Sequence, residues 1–415
     1  MKRKLWHIFG PVACACVLVF AGLLLPLPLD KPSDAEVNRA ATSLNQDVLL
    51  GQQMKGAAAA RGYVPFIGSS ELSRMDPFHP SVLAQKYHRG YKTLLLGGPG
   101  TQSLTQFVDN QNVYNKLKNK KAVVVISPQW FTKMGQRPDA FAYYYSPLEL
   151  SGWLLAKRGG VADRYAARRI LQMNNTTGLI HQCLLNVAAG QKLSTNQRFF
   201  LRLQHQLLRN EDRIFSRFNR TNNIKRIDDA AKKLPNTATD AQLDTLANKM
   251  GTQASRGNDF GIADNFFDKR LRGKRLTRLQ GSQANFDYRR SPEYGDMELL
   301  LHEFAKNHTQ VQFIIPPVNA RWADFTGLPE SMMYQTVAKI EQQLRAQNFT
   351  NILNMVPDGA KKNYMTDTIH LGWRGWVDVD KTVRPFLENQ QPTPKYHLSN
   401  YYFSKKWQNK VVGAN

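Results

Sequence analysis

Two short segments near opposite ends of the chain contain residues whose types and spacing suit acyl-transfer chemistry. The first is Gly68-Ser69-Ser70-Glu71, which follows an apolar run, and the second contains Asp367 and His370 in the pattern Asp-x-x-His. A serine hydroxyl is a weak nucleophile unless a histidine accepts its proton and an acid orients that histidine. In a tight loop this spacing aims the carboxylate at imidazole Nδ1 and leaves Nε2 free. The two segments therefore predict a catalytic triad of Ser70, His370 and Asp367.

The same residues also allow a purely structural interpretation. Gly68 suits a tight turn, and Ser69 is a residue type that caps helices. An Asp-x-x-His pair alone occurs often by chance. Its position after the last predicted strand, together with Gly-x-Ser after the first, favours catalysis.

Elements of an α/β fold are expected to position these residues. Short apolar runs without strict alternation are typical of strands buried on both faces of a parallel sheet. The runs are Val64–Ile67, Thr93–Leu96, Ala122–Ile126, Val311–Ile315 and Asn351–Met355. Helical periodicity follows the second run over Gln102–Lys120 and the fourth over Ser331–Gln347. We therefore predict a three-layer α/β/α, flavodoxin-like domain over residues 61–390, with a five-stranded, mostly parallel sheet and a helical insertion at about 145–307. Ser70 would lie at the carboxyl end of a strand, where open α/β sheets bind ligands.

The chain is strongly basic. Its 56 Lys and Arg residues against 32 Asp and Glu give a formal net charge of +24, and many of these cations lie in the predicted insertion. Such a surface attracts polyanions, which include nucleic acid, anionic lipid and anionic wall polymers. The alternative is a basic surface that has no dedicated partner.

The amino terminus resembles a membrane anchor. A cluster of basic residues at positions 2–4 precedes an uncharged stretch over residues 5–29, and about 20 apolar residues suffice to span a bilayer. Basic flanks stay in the cytoplasm, so we expect a single-pass protein whose main domain is extracellular, which disfavours nucleic acid as a partner. A cleaved signal peptide is the competing interpretation, but the apolar run is long for one. Residues 1–29 are thus the predicted anchor, 30–60 a stalk and 391–415 a tail.

The cysteines argue against two kinds of site. Two of the three, Cys14 and Cys16, lie in the predicted anchor, so Cys183 has no partner for an internal disulfide in the main domain. The sequence also lacks clustered ligands for a metal. We expect neither a metal nor another cofactor.

Five motifs in order resemble those of one protein family. They are GSSEL from Gly68, LGGPGTQS from Leu96, SPQWF from Ser127, SPEYGDMELLL from Ser291 and DTIHLGWRGW from Asp367. The general plan is similar to SGNH (GDSL) hydrolases, except that Ser69 stands where their aspartate is usual and Gln129 where their asparagine is usual. These departures match a divergent branch, the DltD family of membrane-anchored Gram-positive proteins, and the resemblance covers nearly the whole chain.

The resemblance implies a role in D-alanylation of lipoteichoic acid through an acyl group on Ser70, with a membrane acyltransferase and a D-alanyl carrier protein as pathway partners. It implies oxyanion-hole donors at Ser70, Gly98 or Gly100, and Gln129. Substrate contacts are expected at Glu71, which would hold the D-alanine ammonium, and at Trp130 and Trp373. Two alternatives stay open: an extracellular esterase or deacylase that uses water as acceptor, and a non-catalytic assembly partner of the acyltransferase.

Overall fold

A five-stranded parallel sheet forms the centre of the molecule. The computed structural model describes residues 2–24, 31–157, 159–218 and 223–413. In these residues the strands are β1 Val64–Ile67, β2 Thr93–Leu96, β3 Lys121–Val125, β4 Gln310–Ile315 and β5 Ile352–Asn354. Their order across the sheet is β2-β1-β3-β4-β5, and every neighbouring pair is parallel. Because β1 lies between β2 and β3, the loops after these three strands meet at one edge of the sheet.

Alternate side chains of the strands enter two different cores. Ile67, Leu96 and Val124 belong to a large cluster on one face, while Phe66 and Val125 belong to a second cluster on the other. Side chains alternate between faces along a strand, so a strand covered on both faces reads as a continuous apolar run. The predicted α/β architecture with a five-stranded parallel sheet is confirmed, and apolar side chains pack on both faces of that sheet.

Helices cover both faces of the sheet. The α-helices are α1 Lys2–Leu24, α2 Asp34–Ala41, α3 Gln46–Leu50, α4 Gln53–Ala60, α5 Pro80–Lys86, α6 Ser103–Asp109, α7 Gln111–Tyr114, α8 Pro138–Tyr144, α9 Pro147–Ala156, α10 Val161–Gln172, α11 Gly178–Ala188, α12 Thr195–Phe215, α13 Ile224–Ala231, α14 Asp240–Ala254, α15 Asp264–Arg270, α16 Lys274–Leu279, α17 Glu293–Lys306, α18 Ala320–Thr326, α19 Glu330–Arg345, α20 Trp373–Glu388 and α21 Lys405–Asn409. Short 3-10 helices cover Ser70–Ser73, Pro128–Trp130, Ser216–Phe218, Val356–Asp358 and Asn400–Phe403. Helices α5, α13, α14 and α20 pack on one face, and α4, α6, α9, α17 and α19 are among those on the other.

The segment predicted as a stalk is part of the folded domain. Val37 of α2 and Ala58 and Ala59 of α4 are fully buried in the larger core. Lys55 of α4 is also fully buried, where its Nζ lies 3.2 Å from Oε1 of Glu149 in α9 and donates to the Leu49 carbonyl at 2.6 Å. The stalk prediction for residues 30–60 is therefore corrected for residues 34–60. The small alanine side chains of this segment allow its helices to pack closely against the core.

Replacing Lys55 with alanine is expected to destabilise the whole domain. The change leaves the Glu149 carboxylate buried without its cation, and breaking a buried pair in this way costs about 3–5 kcal/mol. Urea unfolding monitored by tryptophan fluorescence would measure the loss. Lys118→Ala, at an exposed lysine, is the control. A Lys55→Ala loss below about 1 kcal/mol would contradict the assignment of residues 34–60 to the core.

The predicted insertion and tail also join the core. The described residues between 145 and 307 contain helices and no strand, as predicted, but α9, α10, α11 and α17 contribute to the same cluster as the sheet. In the carboxyl-terminal segment, Trp407 is 1 % exposed, and its indole N–H donates to Oε1 of Gln343 in α19 at 2.8 Å. Neither segment forms a separate unit.

The predicted membrane anchor lies partly outside the described residues. Helix α1 covers Lys2–Leu24, whereas the end of the apolar run, with Pro26 and Pro28, falls in the undescribed positions 25–30. Among the residues that are described, we find no helix with the length and apolar character that a bilayer crossing requires.

Candidate active site

The structure brings the three predicted catalytic side chains into one hydrogen-bonded chain. Ser70 Oγ lies 2.7 Å from Nε2 of His370, and Nδ1 of His370 lies 2.9 and 2.8 Å from the two carboxylate oxygens of Asp367. Because Nδ1 faces the carboxylate, we assign its proton there, and Nε2 is then the acceptor for the serine hydroxyl. Ser70 is half-buried, whereas His370 and Asp367 are buried. This is the geometry that a serine nucleophile requires.

A closed loop after β5 holds the acid and the histidine. Residues Met365 and Leu371 form an antiparallel bridge, and the Thr366 N–H donates to the His370 carbonyl at 2.9 Å. Inside the loop, the backbone N–H groups of Ile369 and His370 each donate to Oδ1 of Asp367 at 3.0 Å. The aspartate thus fixes the backbone as well as the imidazole ring.

The pKa of Asp367 reflects these contacts. Burial alone would raise it, but the hydrogen bond and charge of His370, the charge of Arg74 and the Ile369 N–H together hold it below its usual value. The carboxylate therefore stays ionised at neutral pH, as an orienting acid must.

Two loops meet at the turn that carries Ser70. Gly97, after β2, lies so close that a Cβ there would be 2.0 Å from the Gly68 carbonyl oxygen, and its φ is +155°. That oxygen accepts from Thr101 Oγ1 at 2.9 Å and from Gln106 Nε2 at 2.7 Å. The Ser69 hydroxyl crosses between the loops and donates to the Gly98 carbonyl at 3.0 Å. The two serines are thus separated by role: Ser69 ties loop to loop, and Ser70 contacts the histidine.

The oxyanion-hole candidates lie on neighbouring strand ends. The Gly98 N–H already donates to Thr101 Oγ1 at 3.2 Å and is buried, whereas Gly100 is exposed with φ +88°. In the described part of the chain, we find no intramolecular hydrogen bond from the Gly100 N–H or the Ser70 N–H. Gln129 is half-buried in the 3-10 helix after β3, next to β1 in the sheet. The Gly100 N–H is therefore free to donate to a reacting group, whereas the Gly98 N–H is already engaged.

Arg74 is a component of the site that the sequence did not reveal. It lies four residues after Ser70, and its Nη2 is 3.0 Å from Oδ2 of Asp367. Its Nε lies 3.4 Å from Nδ1 of His370, longer than the contacts of Nδ1 with the carboxylate. The guanidinium stands 5.8 Å from the ring centre of Phe266. No sequence motif links an arginine at this spacing to a catalytic triad, so the role of Arg74 becomes visible only in the folded structure.

Comparison with known proteins decides the family. A model of the family described as DltD protein matches residues 41–388. The chain belongs to the DltD family. Protein DltD of Lacticaseibacillus rhamnosus is 46% identical over 98% of this chain and 97% of its own. Protein DltD of Bacillus subtilis (strain 168) is 30% identical over 95% of this chain and all of its own, and that of Staphylococcus aureus (strain NCTC 8325 / PS 47) is 28% identical over 93% and 97%.

Three predicted substrate contacts of this DltD chain occupy buried positions. Glu71 is 5 % exposed, and its Oε1 accepts the Ser69 N–H at 2.5 Å, so its carboxylate braces the turn. Burial raises its pKa, which makes it a poor partner for an ammonium ion. Trp130 packs in the larger core, and Trp373 packs in the smaller one against α14. These placements argue against direct substrate contacts, because large aromatic side chains beside a site often serve the core.

The motif that begins at Ser291 contains two buried acidic residues, Glu293 and Asp296, and it supports the loop beside the site. Asp296 of α17 pairs with Arg169 of α10 through Nη2–Oδ2 at 2.7 Å and Nε–Oδ1 at 2.8 Å. Glu293 accepts the Ser103 N–H at 2.9 Å, at the start of α6, which follows the glycine-rich loop. Both carboxyls are fully buried. The motif therefore anchors the loop that carries Gly98 and Gly100. No group of three or more His, Cys, Asp or Glu side chains in the described residues is arranged to hold a metal ion.

Glu293 gives the DltD chain a specific pH dependence of stability. Burial, followed by the neighbouring Asp296, raises the pKa of Glu293 from 4.5 to about 8. Between these values unfolding releases a proton, so the free energy of unfolding falls as pH rises, by at most about 1.4 kcal/mol per pH unit. Glu293→Gln is expected to reduce the loss of stability between pH 5 and pH 7.5 by about 1–3 kcal/mol. Urea unfolding at both pH values measures this, with Glu211→Gln on the exposed face of α12 as control. Equal pH dependence in the wild type and Glu293→Gln would contradict the assignment.

Proposed function

We propose that this protein transfers D-alanyl groups to lipoteichoic acid through an acyl-enzyme on Ser70. DltD proteins act in the D-alanylation of teichoic acids, and membership of that family supports the pathway. The observation that carries the mechanism is the 2.7 Å contact between Ser70 Oγ and His370 Nε2, with Asp367 behind the imidazole. We propose further that the sheet and loops are an SGNH-hydrolase-like arrangement, supported by the positions of these residues after β1 and β5.

Acylation follows from the hydrogen-bonded chain. Ser70 Oγ attacks the carbonyl carbon of a D-alanyl ester or thioester, and its proton moves to Nε2 of His370. The tetrahedral intermediate then collapses, the bond to the leaving oxygen or sulfur breaks, and that atom takes the proton from Nε2. Asp367 stabilises the imidazolium that exists between the two transfers.

Deacylation repeats the steps with a hydroxyl of the glycerol phosphate chain as nucleophile. That hydroxyl gives its proton to Nε2, attacks the acyl-serine carbonyl, and leaves as a D-alanyl ester while Ser70 recovers a proton. In both steps the oxyanion would be held by the N–H groups of Ser70 and Gly100, with the Gln129 amide as a third donor. One such donor typically contributes about 3 kcal/mol to transition-state stabilisation.

The net charge of +24 supports a polyanionic acceptor. A donor made in the cytoplasm would need a membrane partner to reach an external site. We propose that a membrane-bound acyltransferase, supplied by a D-alanyl carrier protein, delivers the acyl group.

Trapping the acyl group on Ser70 tests the proposal. The full-length protein is incubated with a D-alanyl thioester and analysed by intact mass and peptide mapping. The expected result is one D-alanyl adduct on the peptide that contains Ser70, which disappears when lipoteichoic acid is added and reappears as ester on the polymer. His370→Ala should give no adduct.

The two alternative functions predict different products. An esterase would lose the adduct equally fast with and without lipoteichoic acid and would release free D-alanine. A non-catalytic assembly partner would form no adduct, and a Ser70→Ala strain would incorporate D-alanine at the normal level. Either result would overturn transfer through Ser70.

We also propose that residues 1–29 anchor the protein and that the main domain lies outside the cell. The uncharged run after the basic amino terminus supports this. The surface of α12, the helix that α1 contacts, also supports it. Phe199, Phe200 and Phe215 of α12 are exposed among arginines, a composition suited to an anionic membrane surface. Protease digestion of the main domain on intact protoplasts, with the protein retained in the membrane fraction after alkaline extraction, is the expected result. Protection of the domain would contradict this orientation.

A further inference from the structure

A basic groove opens next to the hydrogen-bonded chain of Ser70, His370 and Asp367. It has a volume of about 320 Å³, near the lower end of the roughly 300–1,000 Å³ that is usual for small-molecule sites. Its cations lie on three separate segments, and they are Arg74, Arg226, Lys269 and Arg270. We call these four residues the basic groove. Asp367 lines the same cavity, so the groove and the triad share a wall.

Among the described residues, Arg74 pairs with Asp367, and the other three cations of the basic groove have no ion pair. Arg226 donates only to the Met75 carbonyl, at 3.3 Å, and the exposed side chains of Lys269 and Arg270 have no ion pair among the described residues. Two carboxylates also face the cavity. Asp76 is engaged by the N–H groups of Phe78 and Trp373, and Asp367 by its own loop, His370 and Arg74. Four cations therefore face two carboxylates that already have partners.

The guanidinium groups of Arg74 and Arg226 repel each other. Burial and the charge of Arg74 both lower the pKa of Arg226, and Asp76 only partly offsets them. Like charges that the fold holds together are relieved by an anion between them, and planar guanidinium groups match the oxygens of a phosphate. The groove therefore suits an anionic group of about the size of a phosphate.

Resting on the function proposed above, we propose that the basic groove binds a phosphodiester of the acceptor chain, and that Arg74 couples its occupancy to the base His370. In a glycerol phosphate chain the free hydroxyl lies one carbon from each phosphate-bearing carbon. A phosphate held at Arg74 and Arg226 lies on the Nδ1 side of the imidazole, and the neighbouring glycerol unit would extend from there toward Nε2, the nitrogen that contacts Ser70 and takes the hydroxyl proton. Neither water nor plain glycerol carries such a group.

Arg74 provides the electrostatic link. Its charge lies 3.0 Å from the Asp367 carboxylate and 3.4 Å from Nδ1, so it competes with the imidazolium for the same carboxylate. A bound phosphate offsets that charge, so Asp367 stabilises the imidazolium more fully. The buried Glu71 also acts on this ring, but its position does not depend on the groove. The acceptor would strengthen the base that activates its own hydroxyl, which favours transfer over hydrolysis.

Two acceptors that differ only in a phosphate test the groove. Pre-acylated full-length protein is mixed with glycerol or with bis(glycerol) phosphate, and kcat/KM for deacylation is measured for each. The wild type should prefer the phosphodiester by at least about 10-fold, the effect of one hydrogen bond to a charged group. Arg226→Gln should lose most of this preference. Arg168→Gln, which removes the same charge from an exposed site on α10, should keep it.

A second readout tests the coupling through Arg74. Saturating inorganic phosphate should shift the acidic limb of the hydrolysis pH–rate profile of the wild type to higher pH. Arg74→Gln should already show that shift without phosphate and should not respond to it. A profile that phosphate moves equally in both proteins would overturn the coupling.

Direct binding separates failure of this proposal from failure of the proposed function. Titration of non-acylated protein with bis(glycerol) phosphate needs no chemistry at Ser70, and Arg226→Gln should weaken binding at least about 10-fold. Arg270→Gln, at an exposed position on α15, is a second variant with the same expected direction. If no acyl-serine forms but binding follows this pattern, only the proposed function fails. Equal binding by the wild type and both variants would overturn the groove as a phosphodiester site.

Discussion

Replacing Ser70 with alanine is expected to abolish the acyl-enzyme and to lower the rate of D-alanyl transfer by about 10⁵–10⁶-fold. Variants of serine hydrolases that lack the nucleophile lose about this much, because the remaining activity comes only from binding and oxyanion stabilisation. The removed oxygen is the atom 2.7 Å from Nε2 of His370. Mass spectrometry for the adduct and radiolabelled D-alanine transfer to lipoteichoic acid would measure the two effects.

Ser69→Ala is the matched control for this experiment. Ser69 is the adjacent serine, but its hydroxyl donates to the Gly98 carbonyl and makes no contact with the histidine. Loss of that hydrogen bond costs about 1 kcal/mol, so the variant should still form the adduct. An adduct that persists in Ser70→Ala and disappears in Ser69→Ala would show that the nucleophile is Ser69 and not Ser70.

Replacing Asp367 with asparagine should lower acyl transfer by about 10⁴-fold while the fold is retained. An amide in this position no longer fixes the Nδ1–H tautomer or stabilises the imidazolium. The substitution also leaves the Arg74 guanidinium without its carboxylate, next to the ring that must accept a proton. Single-turnover acylation measured at several pH values is the appropriate assay.

Asp229→Asn controls for the loss of one carboxylate. Asp229 is an exposed residue of α13 that pairs with Lys232. Circular dichroism should report the same helical content for both variants. Acylation of Asp367→Asn within 10-fold of the wild type would remove Asp367 from the mechanism.

The strands of the sheet were predictable because their apolar character is a local property of the sequence. Strands covered on both faces must be apolar at every position, so runs such as Val64–Ile67 and Thr93–Leu96 stand out, and both match β1 and β2. The pairing of Ser70 with His370 was predictable for a similar reason, since the carboxyl ends of parallel strands share one edge. These inferences need only strand positions, which the sequence supplies.

The remaining features depend on packing that the sequence does not encode locally. The burial of Trp130 and Trp373 depends on helices far along the chain, so the sequence alone does not tell an aromatic that packs in the core from one that contacts a ligand. Small residues at 58 and 59 suit a solvated segment and a tight helix interface equally well. Arg74 has a short sequence distance to Ser70, but its partner Asp367 comes from the other end of the chain.

That separation has a consequence for biosynthesis. Ser70 and His370 are 300 residues apart in the chain. At about 5–20 residues per second, the ribosome makes Ser70 roughly 15–60 s before His370. During this interval, and in any chain truncated before position 370, the serine has no proton acceptor. An incomplete polypeptide would therefore be unable to carry out the proposed acyl transfer.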